Sequence, residues 1–289
     1  MPLLCRTFAL NAFYNHTRDI YKNPKGFEKE LLSLCCIVKT MMSWNLNNVA
    51  VTCRERCGGM GYLAVSKFSD YIATAHASIT AEGDNRVLMT KIAKDYMSNV
   101  KFNGFKVPKP SMSIKNIISK MEDVSNADVL LDLLKFREGI LFESLVTRMA
   151  TLAKEGKSGY QILMREVSDN IQDLSMAYGE RNTLEASLAL LAKLSGENKK
   201  VMTVVFRVFA IDCVKMQLGF YLKKSAVSRE AAKKLLATQN DLIKTVASNI
   251  ESLLACLNVP IESLYAPIAK DYEKFYSAPN YGEVIGARL

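Results

Sequence analysis

The chain has 289 residues, of which 49% are hydrophobic and 23% charged, and it carries a net charge of +9 at neutral pH. That mix can bury a core and is not the composition of a disordered chain. No apolar run approaches the roughly 18 residues needed to cross a bilayer, and no basic run interleaved with aromatics points to nucleic acid. The positive charge is dispersed. Groups such as Lys223-Lys224 and Lys233-Lys234 lie beside apolar helical faces and read as solvated surface, although a basic surface can also steer a polyanionic ligand.

The first eight residues show no basic segment followed by a long apolar one, so no secretory signal is expected. They instead open inside an amphipathic pattern. A first helix is predicted over 3–22, ended by Asn23-Pro24-Lys25-Gly26, because the residue before a proline is pushed out of helical space. A long helix is predicted over 28–57, where Leu31, Leu34, Cys35, Val38, Met41 and Met42 recur at helical spacing. Gly58, Gly59 and Gly61 stop it. Residues 62–83 read as a loop with one short helix, and a further helix runs over 84–101 with Asp84 in its first turn.

Residues 104–125, with Gly104, Pro108 and Pro110, read as a linker between a unit at 1–103 and another at 126–289. The second unit is predicted to hold helices near 127–155, 161–195, 198–224, 228–257 and 261–276, with stops at Gly156, Gly159 and Gly196. Alternating strand patterns are nearly absent, and 25–107 and 111–259 contain no proline. The expected fold is all-α, with two helical-bundle lobes.

The seven cysteines (5, 35, 36, 53, 57, 213 and 256) fall mostly on apolar stripes, as small buried hydrophobes of a reducing compartment. Cys53 and Cys57 stand one helical turn apart. Zinc needs two more ligands, and with only His16 and His76 available no metal site is expected.

Two turns carry the chemistry. In Gly58-Gly59-Met60-Gly61 the backbone is free to approach a ligand and offer amides to phosphate oxygens, although a helix cap explains the glycines equally. Glu82 stands between the small residues Ala81 and Gly83. It is either a helix-start carboxylate or an accessible base, which desolvation against an apolar chain would strengthen.

Together the two turns, Cys53 to Leu63 and Thr80 to Leu88, resemble the acyl-CoA oxidase family of flavoenzymes. So do Pro2 to Leu10, Leu264 to Glu273 and Asn280-Tyr281-Gly282-Glu283. The resemblance implies that Glu82 removes the α-proton of an acyl-CoA. It implies further that Gly58, Gly59 and Gly61 lie against the FAD of a partner subunit in a homodimer, and that Gly83 and Asn85 approach the flavin or substrate. Met60 stands where many relatives carry histidine, which leaves only the backbone role there. The part of the family that encloses the flavin has no counterpart, so the chain resembles the C-terminal half of such an enzyme and is expected to be inactive alone. Ala287-Arg288-Leu289 fits a small-basic-leucine peroxisomal signal. Two rival readings stay open: an acyl-CoA dehydrogenase with a C-terminal extension, and a non-catalytic helical partner of an intact subunit.

Overall fold

The computed structural model describes residues 1–111 and 126–277. Among them every regular element is helical and no strand occurs, as the spacing predicts. Helix α1 (Pro2–Lys22) begins on a proline, whose missing amide costs nothing in a first turn. Helix α2 (Leu31–Arg56) follows, then the short α3 (Gly58–Tyr62), α4 (Phe68–Thr80) and α5 (Asn85–Phe102). After the undescribed stretch come α6 (Ala127–Lys154), α7 (Ser168–Lys193), α8 (Gly196–Met216), α9 (Leu218–Lys223), α10 (Arg229–Ser248), α11 (Ile250–Cys256) and α12 (Tyr272–Ser277).

Helix α1 is the shared wall of two cores. Its Cys5, Phe8 and Ala9 join Leu133 and Phe136 of α6, Leu184 of α7, Phe206 and Phe209 of α8 and Leu235 of α10. Its Leu10, Phe13 and Ile20 join Ile37 and Met41 of α2, Ile92 and Tyr96 of α5, Phe142 of α6 and Leu174 of α7. Both cores therefore draw on residues before and after the 104–125 stretch. Helix α7 comes close to α2 at Gly179, where a Cβ would stand 2.5 Å from Met41 Sδ. Only glycine permits that approach.

Several predicted boundaries shift, each for a local reason. Helix α2 starts at Leu31 rather than 28, because Pro24–Glu30 forms turns in which the Phe27 amide donates to the Pro24 carbonyl at 2.8 Å. Residues 62–83 are mostly helix: α4 has 13 residues and packs on α2. The helix expected over 161–195 opens with a π-turn at Ile162–Glu166 before α7. Those expected over 198–224 and 228–257 break at Gln217 and Asn249. The helix expected over 261–276 is not continuous, because Pro267 holds Ala266 extended and only Tyr272–Ser277 is α-helical. Residues 280–289, which hold the last two predicted sequence features, lie outside the described residues.

Candidate functional site

Between α4 and α5 the chain makes a tight, strained turn. Helix α4 ends with Ala81 extended, Glu82 then takes φ +56°, and Gly83 takes φ +101°. A side chain on Gly83 would be forced to within 3.0 Å of Leu88 Cδ2, so this position is restricted to glycine on two counts. Glutamate in left-handed space costs free energy and persists only where its surroundings fix it. Asp84 then caps α5, its Oδ1 accepting from the amides of Arg86 at 2.9 Å and Val87 at 3.4 Å.

Helix α2 does the fixing. Lys39 Nζ donates to the carbonyl oxygens of Ile79 at 3.1 Å and Gly83 at 2.8 Å, and to Asn85 Oδ1 at 2.8 Å. Asn85 is fully buried, and its Nδ2 donates to Ser43 Oγ at 2.9 Å and to the Thr40 carbonyl at 3.4 Å. The amide of Asn85 is thus engaged with α2, while the Glu82 carboxylate is exposed.

That carboxylate belongs to a cavity of about 600 Å³ walled by Leu10 of α1, Met42, Leu46 and Val49 of α2, and Ser78 and Ala81. Lys39, Ser43, Asn45 and Thr7 supply its few polar groups. An apolar recess with one accessible carboxylate can accept an aliphatic chain and place a base beside it.

The glycine turn is built differently from a simple loop. Gly58 takes φ +57°, and residues 58–62 then form a helical turn closed by Ser66 Oγ, which donates to the Gly61 carbonyl at 3.1 Å. Gly61 is buried, and a Cβ there would overlap the Arg54 carbonyl oxygen, so its glycine is structural. Gly58 and Gly59 are exposed, and among the described residues nothing beyond the turn's own neighbouring backbone stands within 4 Å of a Cβ built on either. Positive φ belongs to Gly58, not Gly59. This turn borders its own recess of about 490 Å³, lined by Arg54, Gly61, Tyr62, Ser69, Ile72 and His76. The two recesses share no lining residue. Within one chain, then, Glu82 and the glycine turn do not meet.

Cys53 and Cys57 are free and exposed, and among the described residues no group of His, Cys, Asp or Glu could hold a metal ion. Sequence reasoning did not single out Lys39 or Ser43. The available signal was a lysine on an otherwise apolar stripe, with Met42, Leu46 and Val49 following at helical spacing.

The fold is a helical one in which a strained turn sets an exposed carboxylate beside an apolar recess. The family model described as "Acyl-CoA oxidase, C-alpha1 domain" matches residues 1–97, and that described as "Acyl-CoA oxidase" matches residues 126–271. The chain belongs to the acyl-CoA oxidase family. A mouse acyl-coenzyme A oxidase-like protein is 21% identical, the match covering 83% of this chain and 40% of that protein. The putative peroxisomal acyl-coenzyme A oxidase 3.2 of Arabidopsis thaliana is 25% identical, over 93% of this chain and 41% of its own length. The chain thus spans about 40% of these relatives. Among solved structures, acyl-CoA oxidase-1 of Caenorhabditis elegans, complexed with FAD and ATP, superposes with a TM-score of 0.81 at 15% identity, covering 95% of this chain and 45% of that one. Acyl-CoA oxidase1 of Yarrowia lipolytica gives 0.80 at 16% identity, over 98% and 48%. At those identities the likeness speaks for the fold.

Proposed function

We propose that this chain is the base-bearing C-terminal part of an FAD-dependent acyl-CoA oxidase of fatty-acid β-oxidation. The overall reaction is acyl-CoA plus O2 giving trans-2-enoyl-CoA plus H2O2. The observation that carries the reading is Glu82 held in left-handed space, exposed in an apolar cavity of about 600 Å³. In that setting Glu82 accepts the proton from the α-carbon, and the cavity takes the acyl chain, which on binding displaces water from around the carboxylate. FAD, when bound, supplies a two-electron acceptor for the β-hydrogen, which leaves as hydride.

The residues present fit one edge of such a cofactor. Gly58 and Gly59 offer backbone left open by the described residues, as a group approaching closely requires, while Gly61 shapes the turn beneath them. Gly83 keeps the base turn compact, and Asn85 holds that turn from within. A site shared between two subunits of a homodimer would need the base and the glycine turn to open on different recesses, and they do. Several relatives are named as peroxisomal, which supports a peroxisomal location and agrees with Ala287-Arg288-Leu289.

The test is Glu82→Gln in the flavin-loaded holoenzyme. Flavin content should stay at parental level while peroxide formation from acyl-CoA is lost, because an amide cannot take the α-proton. Turnover near that of the parent would sink the reading. The reading left open by the sequence, a non-catalytic helical partner, makes the opposite prediction. On that reading no assembly containing the chain would lose turnover with Glu82→Gln.

A further inference from the structure

The base reading leaves a mechanical question, namely what holds a glutamate in a conformation that costs free energy. The three bonds that converge on Lys39 supply an answer. Its ammonium has three protons and three oxygen acceptors, and the acceptors bracket Glu82 in the chain. The Ile79 oxygen lies in the last turn of α4, three residues before Glu82. The Gly83 oxygen comes immediately after it, and Asn85 Oδ1 sits at the start of α5. A second tier on α2 joins it, where the Thr40 carbonyl beside Lys39 and Ser43 Oγ one helical turn on accept from the Asn85 amide. Lys39 also lines the cavity, so one residue belongs both to its wall and to the turn.

We infer that Lys39 is the positioning residue for Glu82: it binds the end of α4 and the start of α5 to α2, and so sets where the carboxylate stands over the cavity. The inference rests on the base reading only for its catalytic consequence. Its structural half stands on the hydrogen bonds alone. Helix α2 also supplies Met42, Leu46 and Val49 to the cavity, so the same rigid element would place both the acyl chain and the base that acts on it.

The discriminating variant is Lys39→Met, which keeps the length and apolar stem and removes the three donors. Lys39→Arg keeps the charge, but a planar guanidinium cannot address three acceptors grouped around a point. In the 289-residue chain, exchange at the hydrogen-bonded amides of Ala81, Arg86, Val87 and Leu88 should rise by about tenfold or more in Lys39→Met, with exchange in the middle of α2 unchanged. In the flavin-loaded holoenzyme, kcat should fall on the order of 100-fold, with KM for acyl-CoA and flavin content near parental values. Lys39→Arg should recover only a small part of that loss.

Unchanged exchange at Ala81 and at Arg86 to Leu88 in Lys39→Met would overturn the inference. So would a parental kcat in Lys39→Met where Glu82→Gln is inactive. If Glu82→Gln keeps turnover while exchange at those amides rises in Lys39→Met, the base reading falls and the inference survives as a clamp on the turn.

Discussion

Arg137 on α6 and Glu180 on α7 meet at 2.6 Å, and one residue further along each helix the charges are exchanged, with Arg181 Nε donating to Glu138 Oε2 at 2.7 Å. The side chains of the first pair are only 2% and 5% exposed. Tyr96 on α5 donates to Glu138 Oε1 at 2.7 Å, so the second pair also ties in a helix from the other side of the linker region. Two reciprocal ion pairs thus cross the contact that joins α6 and α7.

Such pairs are costly to break singly and cheap to remove together. Glu180→Leu leaves the Arg137 guanidinium buried without its partner and should lower unfolding free energy by about 3–5 kcal/mol. Arg137→Met should do the same for Glu180. The double variant should return to within about 1–2 kcal/mol of the parent, helped because Arg137 Nε has no acceptor to lose. Chemical denaturation of the three variants checks this. A double variant no better than its worse parent would show that the pair is not a self-contained unit.

Alkaline pH should weaken the fold. Burial pushes the Cys5 thiol up to about 12 from an ordinary value near 9.0. Burial likewise raises Tyr96, Tyr178 and Tyr221, with Glu138 and Glu30 adding to the shift of the first two. The folded state therefore keeps protons that the unfolded chain releases from about pH 9 to 10 upward. Their contribution is fully present below that range and is lost as pH rises through the folded values. Melting temperature should hold steady to about pH 9 and then fall. Cys5→Ala should flatten the first part of the decline, and a melting temperature independent of pH would refute the account.

The glycine turn offers a test that tells a structural glycine from one proposed to face the flavin. Gly61→Ala puts a Cβ onto the Arg54 carbonyl oxygen and should lower melting temperature and disturb α3. Gly59→Val adds its side chain to open space at ordinary φ, so the isolated chain should be little affected. In the holoenzyme the order reverses for flavin retention, where Gly59→Val should lose cofactor with its helices intact. Flavin content and melting temperature measured on one preparation decide between this and a pure helix cap.

The helical class and most of the long helices were legible because large apolar residues recur at helical spacing in α1, α2, α6 and α8. Helix α4 was underread although its signal is present: Phe68, Tyr71, Ile72, Ala75 and Ile79 stand at helical spacing and form its buried and half-buried face. The small and polar residues between them, with glycines on either side of the segment, gave it the look of a loop. The breaks at Gln217 and Asn249 carry no proline or glycine at the break residue, so nothing local announces them. In the site, Glu82 was legible from its turn. Lys39, 43 positions earlier in the chain, was not, because its partners, two backbone oxygens and Asn85 Oδ1, acquire their places only through the packing of α4 and α5 on α2.

The strain at Glu82 makes a last prediction about stability against function. A non-glycine residue in left-handed space costs about 1–2 kcal/mol, which glycine would not incur. Glycine also loses more chain freedom on folding, by about 0.5–1 kcal/mol. The Glu82→Gly variant should therefore be as stable as the parent, or more stable by up to about 1 kcal/mol, although it removes the carboxylate entirely. Glu82→Val should move the other way and lose about 1–2 kcal/mol, since a β-branched residue tolerates positive φ poorly. Denaturant midpoints of the two variants against the parent chain provide the measurement. A Gly variant clearly weaker than the parent would mean that the Glu82 side chain itself stabilises the turn, and that the left-handed backbone there is not held at a cost for the sake of the site.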